Sequence, residues 1–293
     1  MAMKKRTIIY DPSMLQDFAN IQVRGRPIPS DFNYVHKNWA YRILATVFYR
    51  VIAVPILYCF SKIKWHIRVE NKKEIMKQLK GTGYFIYSNH TLTADGWIPA
   101  CFICPPKRAY IVSLGGTFTA NRFIGLLISQ LGAIPLPGDF KSARNFMHCL
   151  KKRLDDNCPI AIYPEGTIWP YYTKARVTKE GAFKYPRVFN KPIVFACSTF
   201  RKPRGLFKRF KAPRVVITLS NPIFPNRSSV EKIDEKRLKE LFDQFIEKTT
   251  ANPLNYSPYN YVQKELDKDY LNEHFDETFN EFNKDIELMS KEE

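Results

Sequence analysis

The stretch "YSNHTLTADGW", residues 87–97, sets a histidine directly after an apolar run and an aspartate five positions beyond it. A carboxylate bonded to one imidazole nitrogen fixes the tautomer and leaves the other nitrogen free to accept a proton. His90 is therefore a candidate general base and Asp95 its orienting partner, with a helix-capping pair as the plain alternative. The spacing sets a condition. On a continuous helix, positions five apart point about 140° away from each other. The pair meets only if His90 lies in a turn and Asp95 in the first turn of the helix that follows, with Thr91 or Thr93 as its N-cap. A second group, Glu165, Gly166 and Thr167, follows another apolar run in "PIAIYPEGTIWP", residues 159–170. Read alone, Pro-Glu-Gly is also good surface-turn chemistry. If both runs are strands, both groups stand at the carboxyl edge of one sheet, where sites in open α/β sheets lie.

The elements needed to hold them there are present as patterns. Short apolar runs at 84–88, 109–114, 159–163, 192–197 and 214–219 read as buried strands. Stretches 118–131, 140–157 and 231–249 have helical spacing; in the second, Ala143, Met147, Leu150 and Leu154 share one face. The expected fold is α/β, with a mixed, mostly parallel central sheet flanked by helices, an N-terminal membrane-interfacial helical segment and a C-terminal helical extension. Three regions follow: residues 1–66 as an N-terminal arm with membrane-associated helices, 67–228 as the α/β domain, and 229–293 as C-terminal helices with an acidic tail. Residues 252–260 read as the linker into that tail. Val262, Leu266, Tyr270, Phe275, Phe279, Phe282 and Ile286 suggest that the tail is helical.

The chain has 293 residues, 45% hydrophobic, and a formal charge of +18. Residues 262–293 hold 11 acidic against 4 basic side chains, which leaves +25 on residues 1–261. Such a surface seeks anions. With 22 Phe, 16 Tyr and 4 Trp among the cations, it suits a membrane surface of anionic lipids. A nucleic-acid role would need a recognisable reading module, and none is found. Residues 43–60, "ILATVFYRVIAVPILYCF", hold a single charge, Arg50. A full crossing needs about 20 apolar residues, so one or two helices lying in the interface, broken near Pro55, fit better; a buried core helix is the alternative. The first 18 residues have no apolar stretch and are not expected to be a secretion signal. The six cysteines, at 59, 101, 104, 149, 158 and 197, form no disulfide framework, and "CFIC" lacks a second ligand pair, so no metal is expected. "FRKPRGLFKRFKAPR", residues 200–214, is the densest basic stretch, a loop that could meet anionic lipid or an acidic or phosphorylated donor.

Asn89-His90, four residues, Asp95, then Pro164-Glu165-Gly166-Thr167 some seventy residues on, resembles the glycerolipid acyltransferase family, whose best-known members are the 1-acylglycerol-3-phosphate acyltransferases. "LLISQLGAIPLP", residues 126–137, is similar to the family's second block, and "TKEGAFKYPRVFNKPIVFAC", residues 178–197, to the stretch after its third. The four blocks stand in order over about residues 84–200. The resemblance implies that His90 deprotonates an acceptor hydroxyl, that Asp95 orients it, and that the hydroxyl attacks an acyl thioester on coenzyme A or acyl carrier protein, with no other cofactor. It implies a lysophospholipid acceptor, a place on the cytoplasmic face of a membrane, and an acceptor site lined by Asn89, Glu165, Gly166, Thr167 and Lys179, with backbone N–H groups facing the oxyanion. Members that use lysophosphatidate typically carry an arginine just beyond Gly-x-Ile, another after Glu-Gly-Thr, and often a lysine ending the second strand. This chain has Pro137 or Gly138, Ile168 and Leu114 at those places. Either Lys141, Arg144, Lys174, Arg176 or Lys179 supplies the missing cation for phosphate or donor, or the acceptor lacks a terminal phosphate.

Overall fold

The structure, a computed structural model, describes residues 5–18, 27–36, 38–104, 107–119, 122–205, 212–225 and 233–264. Nine strands lie among them: β1 (Arg6–Tyr10), β2 (Arg68–Glu70), β3 (Phe85–Ser88), β4 (Tyr110–Ser113), β5 (Ala133–Pro135), β6 (Ile160–Ile162), β7 (Ile193–Arg201), β8 (Arg214–Leu219) and β9 (Tyr259–Gln263). Seven form one sheet in the order β2-β8-β7-β3-β6-β4-β5, and only the β7–β8 pairing is antiparallel. The expected mixed, mostly parallel sheet is what forms.

Side chains alternate across each strand, so β3 feeds two cores. Ile86 joins Trp65, Ile75, Phe102 and Ile217 on one face; Phe85 and Tyr87 join Phe146, Leu150, Phe195 and Phe242 on the other. The second face is covered by the Phe140–Asp155 and Glu235–Thr250 helices. In the latter, Phe242 meets Phe195 edge-on at 5.4 Å and Phe183 at 5.7 Å, so the first helix of the 229–293 segment is a layer of the α/β core. Of residues 118–131, those in Gly116–Thr119 and Arg122–Gln130 are helical, and 120–121 lie outside the described residues. At the head of β5, Gly132 has φ +99, and a Cβ there would stand 2.5 Å from the Ala109 carbonyl oxygen, so glycine is required where β5 enters the sheet beside β4.

Two expectations are corrected. Pro55 does not break the apolar segment. Residues Trp39–Trp65 form one helix of 27 residues, with a π-helical stretch at Phe48–Ala53 just before the proline. A proline lacks the amide hydrogen and crowds the carbonyl four residues back; a widened turn ahead of it absorbs both. Nor is Val262 in a helix or 259–260 in a linker. Tyr259–Gln263 is an extended strand pairing in parallel with Arg6–Tyr10, in a two-stranded ribbon apart from the main sheet. The expected helix from residue 265 onward lies outside the described residues.

The Trp39–Trp65 helix is long and apolar enough to cross a membrane by length and composition, with a mean hydropathy of 2.0, and only 17% of its apolar window is buried. That excludes an ordinary core helix. Ile43, Leu44, Val51 and Ile56 are each more than half exposed. Its other side docks on the domain: Ser61 accepts from Trp97 Nε1 at 2.9 Å, and the Tyr49 hydroxyl accepts from the Ala109 amide at 3.1 Å.

Candidate active site

β3 ends at Ser88, and Asn89 marks the point where backbone pairing stops. Its side chain continues the ladder: Oδ1 accepts from the Ser198 amide at 2.8 Å and Nδ2 donates to the Ser198 carbonyl at 3.0 Å. Asn89 is buried and both polar groups are used, so it anchors the turn into His90 and does not line an acceptor site. The chain then turns through His90, Thr91 and Leu92 into a 3-10 turn, Thr93–Gly96. Neither threonine caps it. Asp95 folds back, and its Oδ2 accepts from the Thr91 amide at 2.8 Å, the Leu92 amide at 2.9 Å and His90 Nδ1 at 2.9 Å. An oxygen already accepting from two amides requires the imidazole to donate, so the proton sits on Nδ1 and Nε2 carries the lone pair. The His90 side chain is 20% exposed and that of Asp95 only 2%.

Tyr163, the residue after β6, was not singled out from sequence. Its ring stacks on the imidazole with centroids 4.4 Å apart and planes 23° apart. Its hydroxyl donates to the Asp95 carbonyl at 2.7 Å. Burial, then the charge of Asp95, push this phenol well above its ordinary range, so it remains a neutral donor. Its place one residue beyond a strand that neighbours β3 was the available signal.

Glu165 and Arg176 take roles different from those expected. Both side chains are almost fully buried, at 2% and 1% exposure, and they pair with each other. Glu165 Oε2 accepts from the His90 backbone amide at 2.9 Å and from Arg176 Nε at 3.0 Å. Arg176 Nη1 donates to Thr167 Oγ1 at 2.9 Å, and Nη2 reaches the Thr167 carbonyl and, at 3.4 Å, the His90 carbonyl. Glu165 thus holds the backbone of His90 and does not face an acceptor, and Arg176 is not free to grip a phosphate. The Gly166 amide donates within its own turn, to the Tyr163 carbonyl at 3.1 Å, so it does not face an oxyanion. Gly166 has φ +73, and Lys179 lies across it: a Cβ there would stand 3.3 Å from Lys179 Nζ. Lys179 is the exposed cation beside the Glu-Gly-Thr turn. Lys174 is exposed on the loop that follows. Lys141 and Arg144 are exposed in the first turns of the Phe140–Asp155 helix, which starts beyond β5. β5 lies three strands from β3, about 14 Å at the usual strand spacing.

Cys101 and Cys104 are buried and donate to the carbonyls of Val54 and Pro99. Burial pushes both thiols up to about 12, so neither offers a thiolate. Of "FRKPRGLFKRFKAPR", residues 206–211 lie outside the described residues.

The arrangement is therefore an imidazole with a fixed tautomer, an open Nε2, a backbone held by a buried ion pair, and one ammonium at the rim. It can take a proton from a hydroxyl. Residues 66–197 match the protein-family model described as Acyltransferase, a span that includes every residue of this site. None of the curated proteins compared matches the chain. Among solved structures, the chain is similar to the 1-acyl-sn-glycerophosphate (LPA) acyltransferase PlsC from Thermotoga maritima, at 14% identity and a TM-score of 0.48, covering 74% of this chain and 90% of that one. The span 66–197, which holds the four ordered blocks, is similar to an acyltransferase domain.

Proposed function

We propose that this protein moves a fatty acyl group from acyl-coenzyme A or an acyl carrier protein to the hydroxyl of a lysophospholipid, in phospholipid biosynthesis at the cytoplasmic face of a membrane. The observation that carries the reading is His90 with Nδ1 held by Asp95 and Nε2 free, in the span that is similar to an acyltransferase domain. Nε2 takes the hydroxyl proton as the oxygen bonds to the thioester carbonyl carbon. The tetrahedral intermediate collapses by cleavage of the C–S bond, and the proton on Nε2 passes to the departing sulfur. Ester and free thiol result.

The acceptor we propose first is 1-acyl-sn-glycerol-3-phosphate, with Lys179, the exposed cation beside Gly166, for its phosphate. A second reading, an acceptor without a terminal phosphate, is favoured by Ile168 and by the commitment of Arg176 to Glu165. Thiol release from each donor, measured with lysophosphatidate and then with lysolipids lacking the terminal phosphate, separates the two. Turnover on the first alone supports the first reading. Turnover only on the others supports the second, and none on any acceptor removes the enzymatic reading.

The membrane part is testable by itself. Cys59 is exposed on the apolar helix, whereas Cys101 and Cys104 are enclosed. On anionic vesicles a charged maleimide is expected to leave all three unlabelled, and to label Cys59 but neither Cys101 nor Cys104 once the bilayer is dissolved in a mild detergent. Labelling of Cys59 on intact vesicles would put that half of the helix in water.

A further inference from the structure

Trp169, two residues beyond the Glu-Gly-Thr turn, has no exposure at all. Its backbone amide donates to the His90 carbonyl at 3.1 Å, and the amide of Tyr171 donates to the Thr91 carbonyl at 3.0 Å. The segment Ile168–Tyr172 has no helix or strand of its own, and Tyr171 sits at φ +57. Apart from one turn bond, from the Tyr172 amide to the Trp169 carbonyl at 3.1 Å, its backbone hydrogen bonds run outward to neighbours, so its geometry depends on those neighbours.

The neighbours are the two ends of the described chain. Tyr261 of β9 lies flat on the indole, with centroids 5.5 Å apart and planes 5° apart. Tyr10 of β1 meets it edge-on at 4.7 Å, and Phe18 at 5.1 Å. Trp169 Nε1 donates to the Gln16 carbonyl at 2.6 Å, and the Tyr261 hydroxyl donates to the Pro170 carbonyl at 2.8 Å. Ile168 is held on both sides: its amide donates to Asp17 Oδ2 at 3.3 Å and its carbonyl accepts from the Phe18 amide at 3.0 Å. All of these holding groups lie outside residues 66–197.

We propose that the β1–β9 ribbon is a clamp that positions the base: it fixes Trp169, and through the Trp169 amide the carbonyl of His90, so that Tyr261 and Tyr10 are positioning residues for a site that they do not touch. Aromatic contacts of this geometry are favourable beyond their area, and the parallel pairing from Arg6↔Tyr259 to Tyr10↔Gln263 holds the two rings in register. The inference rests on His90 being the base. Its effect is expected on the chemical step, because the change is made at the contacts with Trp169 and Pro170 and not at His90, Asp95 or Lys179.

The test uses the full chain with Tyr261→Ala and Tyr261→Phe. Tyr261→Ala is expected to lower kcat about 10- to 100-fold, the scale on which a small misplacement of a reacting group acts. The donor KM and the thermal midpoint are expected to stay near those of the parent protein. Tyr261→Phe, which keeps the ring and loses only the bond to Pro170, is expected to recover most of the loss. Hydrogen exchange should quicken in residues 165–172 and 89–92 of Tyr261→Ala and nowhere else in the sheet. An unchanged kcat, or a fall in kcat that tracks a fall in midpoint and is shared by Tyr261→Phe, overturns the clamp. If the parent protein releases no thiol, the functional reading falls, and the exchange measurement alone decides the clamp: unchanged protection in those two segments overturns it.

Discussion

His90→Ala is expected to lower thiol release by about 10²- to 10⁴-fold, the usual contribution of a positioned general base. The reasoning is local. Among the groups assembled at the carboxyl edge of β3, the imidazole is the one with an open lone pair beside solvent and a partner that fixes which nitrogen bears it. Removing the ring leaves Asp95 its two amide donors, Thr91 and Leu92, so the turn keeps its shape. The thermal midpoint should therefore move little. Asp95→Asn tests the tautomer. Its amide can still accept from the two backbone donors but no longer demands that Nδ1 donate, so a fall in kcat of about 10-fold or more is expected with folding preserved. Turnover by His90→Ala at even a tenth of the parent rate would mean that another group takes the proton.

What sequence made legible follows from where the information sits. β3, β6 and β7 are buried on both faces and read as unbroken apolar runs, so 84–88, 159–163 and 192–197 could be located without a structure. The His90–Asp95 contact is local, five residues apart in a turn, and spacing alone constrained it. The Glu165–Arg176 pair was not legible, because the loop between them folds back only when Trp169 is packed against residues from both ends of the chain. Asn89 shows the same limit: its use as an extension of the β3–β7 ladder depends on Ser198, 109 positions away. The β1–β9 ribbon was missed for a different reason. "YNYVQ" puts Tyr259 and Tyr261 on one side as a strand, but Val262 also starts a three-to-five residue spacing that continues into the tail. Periodicity could not choose, and the partner strand lay some 250 residues earlier.

The second large effect is expected at Arg176. Arg176→Ala leaves the Glu165 carboxylate buried without its guanidinium, and breaking one side of such a pair costs about 3–5 kcal/mol. The melting temperature should fall markedly and turnover with it. That loss alone would not say what the pair is for, so the informative comparison is a set of three. Arg176→Lys keeps the charge but cannot span Glu165, the Thr167 hydroxyl and carbonyl, and the His90 carbonyl at once. It is expected to recover part of the stability and little of the turnover, with the acceptor KM unchanged because this cation does not touch the acceptor. The double replacement Glu165→Leu with Arg176→Met removes both charges and fills similar volume, which in buried pairs often restores stability. It also leaves the His90 amide without its acceptor at 2.9 Å. Stability is therefore expected to return without activity. If turnover returned with stability, the pair would serve only to neutralise itself. If the acceptor KM rose in Arg176→Lys while kcat held, Arg176 would be gripping substrate after all, and the case for an acceptor without a terminal phosphate would lose its main support.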